Sequence, residues 1–370
     1  MKKTCLLAAL AVIMLSPAAL AGDDGAFVSL FDNTSQADKI DKTSAEEPKD
    51  EHGIFSFLNF KPKKKTEPKL TVADEKRLSP LEQSTKLADQ GDLSAQLLLG
   101  YSYLYGENGA EINYDKAFEY YARAAMQNDN VGLNNLGSLY YSGIGIERNT
   151  AKAAILFEKA AALGNAEAAV NLGFILITGN GVKKDPVQAM KLFEQGAGLN
   201  NPTAKFMLGY AYYTGKLRPM DYGKAAGLMK EAAGAKFDEA QYILALMYIN
   251  GQGLPQNYGN AVKNLKAAVS QGHVLAMTTL GDILASGKKY TKDNFTAHVM
   301  FNLAAVRGAP SASEKRDFLE EKLKIDELLS AQSQAESFHE KPSELTAYIR
   351  QTFGTDIRSY IDTAVISEKN

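Results

Sequence analysis

Residues 95–104 read Ala-Gln-Leu-Leu-Leu-Gly-Tyr-Ser-Tyr-Leu, and the register of this stretch returns along the chain. Its glycine, Gly100, is followed by Gly137, Gly173, Gly209 and Gly281, with Ala245 in the one remaining slot. The steps between these anchors are 37, 36, 36, 36 and 36 residues. A period in this range marks an array of one repeated supersecondary unit, in which each copy buries its apolar face on its neighbours. Function is therefore expected on an extended stacked surface, not in a buried catalytic pocket.

Each period reads as two helices. The first carries the anchor, where a glycine costs about 1 kcal/mol relative to alanine. Its recurrence implies a close approach by the next helix, with no room for more than the Cβ of Ala245. A turn rich in glycine follows, as in Thr178-Gly179-Asn180-Gly181 and Asn250-Gly251-Gln252-Gly253. Glycine there supplies the positive φ that ends a helix. The second helix is marked by Ala117, Ala153, Ala189, Ala225, Ala261 and Ala297. Seven residues after each comes Ala124, Ala160, Gly196, Ala232, Ala268 or Ala304, two turns along the same face. Asp317 falls in the anchor slot after Gly281, so the packing rule lapses there.

The pattern A-x-x-x-L-G-x-x-Y-x-x-G-x-G, a charged loop, then an alanine-rich helix ending A-A-x-x-G, resembles the Sel1-like repeat family. That family is a cousin of the tetratricopeptide repeat, whose period is about 34 residues. The resemblance covers about residues 80–338. It implies an all-α, right-handed superhelical solenoid of about six helix-turn-helix repeats with terminal capping helices.

Outside the array, residues 1–21 read as a secretory signal peptide. Lys2 and Lys3 precede a short apolar run, and Ala19-Leu20-Ala21 supplies the small-residue cleavage pattern. A periplasmic or secreted chain cleaved after Ala21 is expected. The single cysteine, Cys5, lies inside that leader. The mature chain would hold no disulfide, thiolate nucleophile or cysteine metal site. Residues 22–78 read as a charged, disordered linker. It is interrupted by apolar islands at Phe27–Phe31 and Ile54–Phe60, the second followed by lysines. An anionic membrane could be touched through 54–65. The array spans 79–338, with Ser79 as N-cap and Pro80 as the first helical residue. Residues 339–370 carry an apolar stripe read as an amphipathic capping helix over the last repeat, with Gly354 as a candidate kink; the alternative is an amphipathic segment for a partner or a second copy of the protein.

In tetratricopeptide-like stacks the first helices line the concave face. Positions one, four and five after the anchor and three before it are expected there. They carry Tyr101, Tyr105, Tyr141, Phe174, Phe206, Tyr210, Tyr213 and Tyr242, with Leu104, Asn134, Ile177 and Ile249 among them. Tyrosine brings large contact area, a polar handle and little entropy loss, which suits recognition of a peptide or protein. The alternative is packing between repeats.

No catalytic constellation accompanies this. The four histidines are far apart in sequence, and H-E-x-x-H, G-x-S-x-G and phosphate-cradling loops are missing. Neither an enzyme, a cofactor nor a metal is expected. A net charge of −2 speaks against nucleic acid as the main partner. The expectation is an exported scaffold that binds a peptide or partner protein, in envelope assembly or signalling. The alternatives are a secreted virulence factor binding host proteins, and a cell-wall-active enzyme or β-lactam-binding protein. The family members linked to β-lactams carry a disulfide in each repeat, and this chain does not.

Overall fold

The computed structural model describes residues 78–366. The expected leader, both apolar islands, Cys5 and nearly all of the linker lie outside the described residues. Within them the chain forms helices and no strand. Numbered in chain order, these are α1 Pro80–Asp89, α2 Leu93–Tyr105, α3 Tyr114–Met126, α4 Asn130–Ser142, α5 Thr150–Ala162 and α6 Ala166–Thr178. Then come α7 Pro186–Gly198, α8 Pro202–Thr214, α9 Tyr222–Gly234, α10 Asp238–Asn250, α11 Tyr258–Ser270, α12 Val274–Ser286 and α13 Asn294–Val306. The chain ends in α14 Ala312–Glu320, α15 Ile325–Glu336, α16 Glu344–Phe353 and α17 Ser359–Ile366.

The molecule divides into two compact units at Lys184/Asp185, between the first and second helices of the third repeat. In the first, α1 to α6 each pack on the next helix in sequence. In the second, α7 to α13 do the same, and α14 and α15 both pack on α13. Each unit is thus an all-α stack of helix pairs.

Local chemistry fixes the helix boundaries. The second helices begin after Asn113, Asn149, Asp185, Asp221, Asn257 and Asp293, again 36 residues apart. Each of these side chains accepts a backbone N–H from the first turn, a cap worth about 1 kcal/mol. In five of them the backbone N–H reaches back to the preceding first helix, as Asn113 N–H does to Tyr103 O at 2.7 Å and Asn149 N–H to Tyr140 O at 2.8 Å. First helices end on a glycine in the left-handed region, from Gly106 to Gly287.

The anchor slot has a specific neighbour. A Cβ on Gly100 would lie 2.6 Å from the Tyr121 ring, and one on Gly281 2.6 Å from the Phe301 ring. Gly137 meets the Phe157 ring at 2.9 Å. In these three repeats the anchor admits an aromatic ring from the second helix of its own repeat, whereas a Cβ on Gly209 would meet Leu228 Cβ at 3.1 Å and Met229 Cε at 3.2 Å. In the fifth repeat that register holds the smaller Leu265, fully buried, which accounts for Ala245. The alanines Ala117, Ala153, Ala189, Ala225, Ala261 and Ala297 are all inaccessible to solvent.

The C-terminal segment departs from the expected capping helix. It is two helices, α16 and α17, broken at Gly354 (φ 85°). The cover on α13 comes instead from α14 and α15. The segment turns back along the second unit, and α17 packs on α8.

Candidate functional site

The expected binding residues fall into two groups. In the first unit, Tyr101, Tyr105 and Tyr141 are half-buried. The Tyr101 and Tyr105 rings lie 4.7 Å apart between centroids. Burial first, then the Glu107 carboxylate, raises the Tyr101 hydroxyl above its usual range. Burial, then Tyr101 and Glu107, does the same for Tyr105. The Arg148 guanidinium stands 5.4 Å over the Tyr141 ring. Leu104, Phe174 and Ile177 are buried. Asn134 is also buried, and its Oδ1 accepts from Asn171 Nδ2 at 3.2 Å, joining repeats two and three.

In the second unit, Phe206 is fully buried, edge-on to Phe237 at 4.9 Å and stacked near Tyr210 at 5.9 Å. It is core, not a groove residue. The reason is its register: three residues before the anchor, it meets Phe237 at the N-cap of the next first helix. Tyr210 and Tyr242 are buried as well, at 7% and 8% exposure. Tyr213 and Ile249 stay half-buried.

What covers Tyr210 and Tyr242 includes the chain's own C-terminal segment, residues 339–366. It starts at α11, where Lys341 N–H donates to Ser270 O at 2.8 Å. Ser343 follows, its N–H donating to Gln271 Oε1 at 2.9 Å and its hydroxyl to Lys236 O at 2.8 Å. Phe237, at the N-cap of α10, has no side chain able to cap, unlike the Asp, Asn or His of the other first helices. Thr346 stands in, its Oγ1 accepting the Asp238 N–H at 3.2 Å.

Two ion pairs follow. Arg350 Nη2 lies 2.5 Å from Asp238 Oδ2, and Arg358 Nε lies 3.2 Å from Glu239 Oε2. The Arg358 guanidinium also sits 5.9 Å from the Tyr242 ring centroid. Burial works against the charge on Arg358, but Glu239, Tyr210 and Asp356 outweigh it, so the group is held above its ordinary value. Farther on, Asp362 accepts from the Tyr210 hydroxyl at 3.2 Å and pairs with Lys216 Nζ at 2.6 Å. Burial first, then Asp362, raises the Tyr210 hydroxyl. The segment thus runs from α11 past α10 to α8, against the order of the repeats.

His273 completes the cluster. Its Nδ1 caps α12 by accepting the Ala276 N–H at 3.1 Å, which assigns the proton to Nε2. That nitrogen lies 3.2 Å from Glu239 Oε1, and the ring lies 4.6 Å from Tyr242.

The arrangement is a set of hydrogen bonds and ion pairs between the repeat helices and the chain's own C-terminal segment. Among the described residues no group of three or more His, Cys, Asp or Glu is placed to hold a metal. None of the described helices is long and apolar enough to cross a membrane. Sequence reasoning missed Asp238, Glu239, Arg350, Arg358 and Asp362. The available signal was Phe237-Asp238-Glu239, where a helix start lacks its usual capping residue and two acids follow.

Comparison with known proteins bears on the fold. The Sel1 repeat model matches residues 93–129, 131–165, 166–201, 202–236 and 238–273. Among solved structures, a protective antigen present in uropathogenic Escherichia coli strains, described as displaying an SLR fold, is 23% identical with a TM-score of 0.50. The match covers 78% of this chain and 66% of that one, just under two thirds of its length. A Sel1 repeat protein from Oxalobacter formigenes is 23% identical with a TM-score of 0.54, over 70% of this chain and 96% of that one. At these identities the likeness concerns the fold. No curated protein matches the sequence.

Proposed function

The chain belongs to the Sel1-like repeat family, whose members generally mediate protein–protein interaction, and from that premise we propose that it is an exported scaffold binding a polypeptide along its first helices. One observation carries this reading. In the second unit, α8 and α10 already hold a polypeptide, the chain's own residues 339–366, through Tyr210, Tyr242, Asp238 and Glu239. A face that accommodates a peptide in cis has the polar and aromatic groups to accommodate one in trans. In the first unit, the half-buried Tyr101, Tyr105 and Tyr141 are the corresponding contact residues. The role is non-catalytic, in envelope assembly or signalling, and export proceeds through a leader cleaved after Ala21.

Affinity capture with the mature chain tests the reading. A partner should be retained by the wild type and lost on combining Tyr101→Ala, Tyr105→Ala and Tyr141→Ala. A partner held equally by both would remove the first-helix face from consideration. N-terminal sequencing of the chain from periplasmic extract should begin at Gly22, and an intact Met1 would refute export by cleavage.

A further inference from the structure

Asp238 and Glu239 open α10 at 2% and 7% exposure. Adjacent carboxylates buried to this degree require cationic partners. From the repeat array comes the His273 imidazole, whose Nδ1 accepts the Ala276 N–H, so that it offers Glu239 an Nε2–H donor and not a second charge. Both guanidiniums come from outside the array, from Arg350 and Arg358 in the C-terminal segment, on either side of the break at Gly354. The most buried acidic site on this face is therefore completed by residues that the repeats do not provide.

The fit is loose in one respect. Glu239 Oε2, Arg358 Nε and His273 Nε2 are all buried, and none makes an aligned hydrogen bond, although Arg358 Nε lies 3.2 Å from Glu239 Oε2 and His273 Nε2 lies 3.2 Å from Glu239 Oε1. A buried ion pair stabilises well only when its remaining lone pairs and protons are satisfied. A guanidinium presented at a better angle would gain the fork geometry that Arg358 lacks here.

We propose that Asp238 and Glu239 form an arginine-reading site, that residues 339–366 are its resident occupant, and that its external ligand is a polypeptide segment of another protein presenting two arginines on either side of a turn. The inference rests on the reading of the first helices as a polypeptide-binding face. Lys216 and Tyr210, which hold Asp362, add a second condition: a carboxylate one helical turn after the second arginine. Ligand and resident segment exclude one another, so binding releases α16 and α17.

The test uses the full chain carrying Arg350→Ala and Arg358→Ala, and a fluorescein-labelled synthetic peptide of residues 340–366. The opened chain should bind the peptide at least about tenfold more tightly than the wild type, because the tethered segment no longer competes at high effective concentration. Adding Glu239→Gln, or replacing both peptide arginines by alanine, should abolish binding. Equal affinity for the arginine and alanine peptides would overturn the proposal, as would no binding by the opened chain. Those failures leave the first-unit capture result untouched, so the two readings fail separately. Should the double variant not fold, the wild type still decides: excess unlabelled peptide, at about millimolar concentration, should accelerate amide exchange across 344–364, and unchanged exchange would refute displacement. A wild-type dimer in sedimentation that dissociates on Arg358→Ala would assign the site to a second copy's segment and refute an external ligand.

Discussion

Glu167 and Glu239 occupy the same register, six residues before the anchors Gly173 and Ala245, in the first turn of α6 and α10. Glu239 faces His273 and Arg358. Glu167 has no ion pair among the described residues, and burial pushes its carboxyl up to about 7. The two units thus carry one repeat chemistry in two conditions. In the second, the C-terminal segment brings cations to the acidic turn and covers the aromatic positions. In the first, the acid titrates near neutrality and Tyr101, Tyr105 and Tyr141 stay half-buried. A repeat dictates where side chains stand; what they meet depends on chain outside the repeat.

The largest expected effect breaks the apparent equivalence of the aromatic positions. Phe206→Ala removes a ring with no solvent exposure and should cost about 4 kcal/mol of stability in urea unfolding. Tyr141→Ala, at a half-buried position, should cost under about 1 kcal/mol while weakening partner capture. Equal losses would mean that both rings are core.

An intermediate effect concerns pH. Glu167 has a folded pKa raised above its unfolded value, so the folded state binds the extra proton between about 4.5 and about 7. Stability from this group is therefore present at low pH and declines as pH rises through that window. Glu167→Gln should raise stability by about 2 kcal/mol at pH 8, partial exposure reducing the full shift, and change nothing at pH 4. Glu239→Gln should go the other way at pH 8, because it removes the buried carboxylate facing Arg358 and leaves that guanidinium only the exposed Asp356, 3.7 Å away. Thermal melts of both variants at the two pH values check this.

The smallest effect lies in the turns. At the register where Gly145, Gly181 and Gly253 lie in the left-handed region, the fourth repeat has Leu217 at φ 61°. A non-glycine residue there costs about 1 kcal/mol. Leu217→Gly should recover about that amount, and a melting temperature that falls instead would show that the leucine side chain contributes packing.

The helix pairs were legible because a period repeats its evidence. Gly100 to Gly281, the left-handed turn glycines and the alanine series each recur, so one copy's noise does not hide them. The aromatic tally was less informative. Phe206 and Tyr141 are both first-helix aromatics near an anchor, and nothing local distinguishes a ring that meets Phe237 from one beneath Arg148. The path of residues 339–366 was hidden for a different reason. Its stripe at Ile349, Ile357 and Ile361 states that a face is buried, not which surface buries it. The choice is made by contacts more than 100 residues apart in sequence, such as Arg350 with Asp238, which no periodicity encodes.

The central claim is that the α8–α10 face binds polypeptide and is covered by the chain's own C-terminal segment through two arginines. Hydrogen exchange on the full chain, comparing the wild type with Arg350→Ala/Arg358→Ala, tests it most directly. The account predicts that protection across α16 and α17 is lost in the variant while α8 and α10 stay protected. Protection of α16 and α17 at wild-type level in the variant would contradict it.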